Sequence, residues 1–140
     1  MKKNTLRDLT DVALKETVNV AAVVYSIGDT IPVQCCDSVR RGRQNVTLVD
    51  HTKKMVALTL WGSMTGKLNE SEGRAVVLQN LQVNAFHGKK TLTTTYNSVV
   101  DPRTLPNDPD KLRLQIWWDE DGQQEEFESV LLNPTPNQSE

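Results

Sequence analysis

Trp61 and Phe86 each stand at the end of a row of otherwise small or polar residues, and each has lysines nearby in the chain. From Asn45 to Gly62 the sequence is NVTLVDHTKKMVALTLWG, two alternating runs around the polar tetrad His51-Thr52-Lys53-Lys54. That is the pattern of a β-hairpin. Successive strand side chains point to opposite faces, so Val56, Leu58 and Leu60 share the core face and Ala57, Thr59 and Trp61 the other. From Val76 to Phe86 the sequence is VVLQNLQVNAF. Alternation puts Val77, Leu81, Val83 and Ala85 on one face, with Gln79 as a polar intruder, and Asn80, Gln82, Asn84 and Phe86 on the opposite one. His87-Gly88-Lys89-Lys90 follows as a basic turn. Rings on wet faces flanked by cations suit one chemistry: the ring stacks on a nucleic-acid base while the cations track phosphates, as in single-strand binders. The competing reading is that both rings only cover the ends of a barrel. Two rings on two polar strand faces favour stacking.

The elements that must position these rings are strands. Thr17–Ile27, TVNVAAVVYSI, is almost continuously apolar and predicts a long first strand, broken by Gly28-Asp29-Thr30. Residues 28–44 predict a loop or ragged hairpin, because Pro32 cannot donate to a central ladder. Further strands are predicted at Asn45–Asp50, Met55–Trp61, Ala75–Phe86 and Thr91–Val100, the last rich in β-branched residues. A short helical turn is predicted within Ser63–Leu68. Five strands with a helical connection between the third and fourth fit an all-β, five-stranded OB-fold barrel better than an SH3-like one. The predicted organisation is an N-terminal arm at 1–16, with a turn or covering arm around Leu6, Leu9 and Val12, and the OB-fold domain at 17–103. A connector at 104–122 carries a short C-terminal helix, with Leu112, Ile116 and Trp117 or Trp118 at helical spacing. A disordered acidic tail or linker follows at 123–140.

Net charge is −2, but it is unevenly placed. Residues 40–103 hold ten Lys/Arg against four Asp/Glu, while residues 105–140 hold two against nine, so the predicted barrel is basic and the tail acidic. Local fields of this kind, not the total, steer a polyanion. No apolar run approaches the roughly 18 residues of a membrane span, and MKKNTLRDL has no apolar signal-peptide core. Cys35 and Cys36 are adjacent and the only cysteines, which predicts reduced thiols in a cytosolic or nuclear compartment. Adjacent cysteines with His51 and His87 in separate turns are a poor zinc set, so no metal or other cofactor is expected. No nucleophile–base–acid spacing, phosphate-binding glycine loop or carboxylate pair in a basic setting is present, so the chain does not read as an enzyme.

With both aromatic positions placed, the chain resembles the second DNA-binding OB domain (domain B) of the large subunit of replication protein A. The likeness runs from about Leu6 to Gly122. It is carried by the N-terminal DL, VNVAAVV, NVTLVD, LTLWG, LQVNAFHGKKTLT and KLRLQIWWDEDG. It implies low-specificity single-stranded DNA binding in replication, repair and recombination, a nuclear location, and other OB domains or subunits of a replication protein A-like complex as partners. It implies that Trp61 and Phe86 stack on bases, and that Thr59, Arg43, Gln82 and Asn84 occupy binding positions. Gln82 departs from the arginine common there, and Lys90 is expected to compensate. Meiotic and telomeric paralogues carry similar domains.

The expected interface is therefore Trp61 and Phe86 for stacking, Thr59, Gln82 and Asn84 for hydrogen bonds, and Arg40, Arg41, Arg43, Lys53, Lys54, Lys89 and Lys90 for phosphates. The arginines are expected in a ligand-binding loop before the second strand, against the alternative of an ordinary solvated cluster. Tyr25 and Tyr96 are expected to pack the barrel or its rim. Trp117 and Trp118 are expected to pin the terminal helix or dock it on a neighbouring domain. The alternative function, from a different class, is a protein-interaction OB domain of a meiotic or telomeric paralogue that holds acidic peptides, with 119–128 as such a peptide in cis.

Overall fold

A computed structural model describes residues 2–34 and 40–132, and the side chains of these residues except Arg40. Cys35 and Cys36, and the segment from Asn133 onward, lie outside the described residues. The strands are β1 (Thr17–Gln34), β2 (Arg40–Val49), β3 (Lys54–Trp61), β4 (Ala75–Phe86), β5 (Lys89–Thr93) and β6 (Glu128–Ser129), and one α-helix, α1, spans Pro109–Glu120. Short 3-10 turns lie at Arg7–Asp11, Gly62–Met64 and Gly122–Gln124. The strands form one mixed six-stranded sheet. β1 pairs antiparallel with β2 and β4, β2 with β3, and β4 with β5, while β3 and β5 run parallel. The topology is OB-like, and β6, parallel to the start of β3, is a strand beyond the five that alternation predicts.

Two apolar clusters hold this sheet. The larger contains Val18, Val20, Ala22 and Val24 of β1, Val56, Leu58 and Leu60 of β3, and Leu81, Val83 and Leu92. Leu6 and Leu9 of the N-terminal arm are fully buried in it. The smaller contains Ala21, Val23, Ala75 and Val77 under Leu114 and Trp118 of α1. This explains the near-continuous apolar run of β1: both of its faces are covered. It also corrects the assignment of Val77 to the same face as Leu81 and Val83. Val18 pairs with Leu81 but Val20 with Leu78, so β4 carries one extra residue there. Asn80, with φ 59°, takes up that bulge, which asparagine tolerates better than most residues. A one-residue slip reverses which face every later side chain takes. Val76 and Leu78 therefore face the same core as Leu81 and Val83, and Val77 faces α1.

Other strand ends differ for local reasons. β1 does not stop at Gly28; the chain bulges between Ile27 and Thr30 and pairs on to Gln34↔Arg40. Pro32 is tolerated opposite Gly42 because β4 pairs with β1 only between Thr17 and Val23, leaving this part of β1 with one neighbour. The arginines predicted in a loop consequently stand in β2. β5 ends at Thr93 rather than Val100. Beyond it Thr95 N donates to Ser98 Oγ (2.7 Å) and Ser98 Oγ to Asn80 O (2.6 Å), side-chain bonds that replace a ladder. His87 and Gly88, with φ 52° and 78°, make the two-residue turn from β4 to β5, the backbone form that matches strand twist.

Asp108 caps α1 by accepting from Lys111 N, and Pro109 starts the helix, where its missing N–H costs nothing. Leu114 and Trp118, not Leu112 and Ile116, form its buried side; the latter pair are 48% and 57% exposed. A Cβ on Gly122 would stand 2.8 Å from Trp118, so only glycine lets the chain turn so close to the ring. Within the tail predicted from composition, Val130 is buried and Leu131 bridges Lys89. Leu58→Ala or Leu81→Ala should lower stability by about 2–5 kcal/mol. Leu112→Ala or Ile116→Ala should change it by no more than about 0.5 kcal/mol. Urea denaturation of the four variants checks both the core and the orientation of α1.

Candidate nucleic-acid interface

β3, β4 and β5 present their outer faces to an open groove of about 310 Å³. β3 supplies Ala57, Thr59 and Trp61; β4 supplies Asn84 and Phe86; β5 supplies Thr91 and Thr93; and Arg43 and Asn45 come from β2. A second cavity of about 230 Å³ shares Ala57, Phe86 and Thr91 with it and continues past Lys89 to Ser129. The groove is thus a polar floor with an aromatic ring toward each end. The register explains why: Thr59 pairs with Thr93, Asn84 with Thr91, and Phe86 with Lys89, so the outward residues of three strands line up.

The two rings are held differently. Trp61 is half-buried; its indole Nε1 donates to Thr93 Oγ1 (3.1 Å) and its backbone N–H to Thr94 Oγ1 (3.1 Å). The indole is thereby fixed in plane and its only donor is used. Phe86 is 67% exposed, and its ring stands edge-to-face with that of His87, with centroids 4.0 Å apart. Thr59 Oγ1 donates to Asn45 Oδ1 (3.1 Å). Asn84 lines the groove, and among the described residues its Oδ1 is buried with no hydrogen-bond partner. Gln82 pairs with Thr93 and is half-buried.

The expected cations separate into distinct groups. Arg43, level with Trp61, lines the groove, and Lys89 is exposed beside Phe86. Arg41 is exposed farther along β2, opposite Val33. Lys53 and Lys54 face away from the groove, paired with Glu125 (3.4 Å) and Glu128 (3.3 Å) of the segment after α1. Lys90 is the correction. It is 6% exposed, and its Nζ donates to the carbonyls of Leu9, Thr10 and Val12 at 2.8, 3.0 and 2.6 Å. Those carbonyls lie at the end of the 3-10 turn of the N-terminal arm, where the last acceptors of a helical turn lack intrahelical partners; Leu9 O also accepts from Val12 N (3.2 Å). Lys90 therefore anchors the arm and is not at the surface to meet phosphate.

Asn45, Thr91 and Thr93 are groove residues that the sequence reading did not single out. The signal was present: alternation about Leu92 and Val46 puts them on the same outward faces as Thr59 and Asn84. Tyr25 stands on the outside of β1, edge-on to Trp118 and Phe127 at 5.9 and 5.6 Å, whereas Tyr96, expected to pack the barrel or its rim, is 98% exposed. A cavity of about 440 Å³ between the N-terminal arm and α1 is less suited to a polyanion. Its Lys3 and Arg113 are already matched by carboxylates, Lys3 with Asp108 (3.0 Å) and Arg113 with Asp110 (2.5 Å). Among the described residues no group of three or more His, Cys, Asp or Glu is placed to hold a metal ion.

Known proteins resemble this chain in sequence and in fold. A family model described as Replication protein A OB domain matches residues 6–102. The Replication protein A 70 kDa DNA-binding subunit of Gallus gallus is 27% identical over 127 residues, covering 90% of this chain and 20% of the relative. The Replication factor A protein 1 of Schizosaccharomyces pombe is 29% identical over 130 residues, covering 88% and 20%. The chain thus spans about a fifth of the length of these relatives. Among solved structures, a chain of a Replication Protein A heterotrimer bound to ssDNA superposes with TM-score 0.76 at 20% identity, covering 96% of this chain and 32% of that one. A Pot1 (protection of telomere)–ssDNA complex superposes with TM-score 0.63 at 15% identity, covering 84% and 85%. Both likenesses concern the fold.

Two variants test the packing around the groove. Lys90→Met removes the ammonium that three carbonyls of the arm share and should lower stability by about 1–3 kcal/mol, while Lys89→Met should leave it unchanged; thermal melting compares them. Thr93→Val removes the acceptor of the indole N–H, so its hydrogen exchange by NMR should quicken, and Thr93→Ser should keep it slow.

Proposed function

The chain belongs to the Replication protein A OB domain family, and from that premise we propose that it binds single-stranded DNA with little sequence preference. Domains of this family are non-catalytic binding modules. One observation carries the reading: Trp61 and exposed Phe86 open onto the same polar groove. In the proposed complex both rings stack on bases. Thr59, Gln82, Asn84 and the Thr91–Thr93 floor supply hydrogen bonds, and Arg43, Arg41, Arg40 and Lys89 track phosphates. Because the indole donor is already bonded to Thr93, Trp61 offers its face and not a base-specific hydrogen bond, which suits tolerance of sequence. Two rings and one groove suit about four nucleotides, the low end for an OB domain.

The pairing of each of β1 to β5 with two neighbours supports a closed five-stranded OB barrel, with β6 as an addition at the start of β3. We take 17–103 as its body, 1–16 as an arm and 104–122 as the connector, and read the chain as most like domain B of the large subunit or a meiotic or telomeric paralogue. A nuclear location, roles in replication, repair, recombination or meiosis, and partnership with other OB domains of such a complex belong to the same reading. Among the described residues no helix is long and apolar enough to cross a membrane.

A second reading, an acidic-peptide groove, draws on the contacts of Glu125 and Glu128 with Lys53 and Lys54. Those contacts lie on the β2–β3 turn and leave the groove open, so DNA is favoured. Labelled oligo-dT and an acidic peptide titrated side by side decide between them: tight peptide binding with no oligo-dT binding would sink the DNA reading.

Trp61→Ala and Phe86→Ala should each cost about 1–3 kcal/mol of oligo-dT affinity, a factor of roughly five to over a hundred. Neither ring fills the core, so melting temperatures should stay near that of the parent chain. Anisotropy titrations should also give a log–log salt slope of about −0.7 per phosphate contacted, and much weaker binding to a duplex of equal length. A melting temperature that falls along with affinity would mean the rings are core residues.

A further inference from the structure

Tyr96 is the most exposed large hydrophobic residue described, at 98%. A single exposed aromatic residue is ordinary, but the position of this one is not. The outward residues of the groove run from Phe86, level with Lys89, to Thr59, level with Thr93. Trp61 lies two residues past Thr59, and its backbone N–H donates to Thr94 Oγ1. Tyr96 is two residues beyond Thr94, a reach of at most about 7 Å. The order of backbone positions along the sheet is therefore Phe86, Trp61, Tyr96, which puts the tyrosine beyond the Trp61 end of the groove.

The backbone that carries Tyr96 is also fixed. Thr95 N donates to Ser98 Oγ (2.7 Å), Asn97 N to Thr95 Oγ1 (3.3 Å) and Ser98 N to Thr95 O (3.1 Å). The turn is tied to β4 through Asn80: its O accepts from Ser98 Oγ, and its Nδ2 donates to Asn97 O (3.1 Å). Asn80 begins the outward row that continues through Gln82 and Asn84 to Phe86. A ring held out on a hydrogen-bonded turn has little backbone freedom to lose when it stacks, and every base has a π-face for it to stack on. No acidic residue lies between Glu72 and Asp101 to repel a phosphate along this path in the chain.

We propose that Tyr96 is a third stacking platform, a flanking subsite for a base of a single-stranded nucleic acid longer than the Trp61–Phe86 groove holds. The proposal rests on the single-strand reading above, and its test separates the two. The full 140-residue chain is titrated with dT4 and dT8 as parent, Tyr96→Ala, Tyr96→Phe and Trp61→Ala. Tyr96→Ala should weaken dT8 at least about fivefold and leave dT4 within about twofold, while Tyr96→Phe, which keeps the ring, should match the parent on both. Because the ring packs on nothing, the variants should melt together, and a fall in melting temperature for Tyr96→Ala would overturn the assignment. So would unchanged dT8 binding by Tyr96→Ala where Trp61→Ala weakens both lengths; the single-strand reading would then stand without the subsite. An equal loss on dT4 and dT8 would also overturn it, by making Tyr96 part of the first site. If Trp61→Ala weakens neither, the single-strand reading fails, and the subsite with it.

Discussion

One extra residue in β4 organises much of this molecule. The bulge at Gln79–Asn80 switches the residues of β4 that face the main core: before it Val76 and Leu78 point inward and Val77 toward α1, and after it Leu81 and Val83 point inward and Gln82, Asn84 and Phe86 outward. Its backbone groups are taken up. Asn80 N donates to Asn19 Oδ1, Asn80 O accepts from Ser98, and Gln79 exchanges backbone bonds with Val99. The same contacts hold the turn that presents Tyr96, so the device that sets the face of the groove also fixes the loop at its end.

The cations show how little a count of lysines says about a surface. Lys89 and Lys90 are neighbours, yet strand alternation sends one outward beside Phe86 and the other inward to three carbonyls of the N-terminal arm. The inward ammonium is sustained because each of its three N–H donors has an acceptor. Lys53 and Lys54 are matched by Glu125 and Glu128, exposed pairs that contribute little to stability but reduce the positive field of that turn. Charge in the proposed interface is thus concentrated near the groove, where Arg43 and Lys89 flank the rings.

The aromatic residues divide along the same lines. Tyr25, Trp117, Trp118 and Phe127 form a cluster of edge-on and tilted rings, with neighbouring centroids 5.6 to 6.1 Å apart, that seats α1 and the chain after it on the outside of β1. Trp61, Phe86 and Tyr96 are excluded from both cores. The first group shares its rings with one another and with the chain; the second has open faces.

Alternation by itself determined the two strands that matter most. From Lys54 to Trp61 and from Asn80 to Phe86 a period of two separates aliphatic from polar residues, and the structure keeps that separation because each face meets one environment. The same rule held Thr91 and Thr93 in plain view around Leu92. What it could not determine were features set by partners distant in the chain. The face of Val77 depends on a bulge whose partners are at 19 and 95–99. The continuation of β1 past Pro32 depends on β4 having already left its other edge. The destination of Lys90 depends on carbonyls some eighty residues earlier. Helix α1 is apolar on more than one side, so its sequence alone did not say whether Leu112 and Ile116 or Leu114 and Trp118 would be buried. Only packing against β1 and β4 made that choice, since a local pattern records which residues can share a face but not which face finds a neighbour.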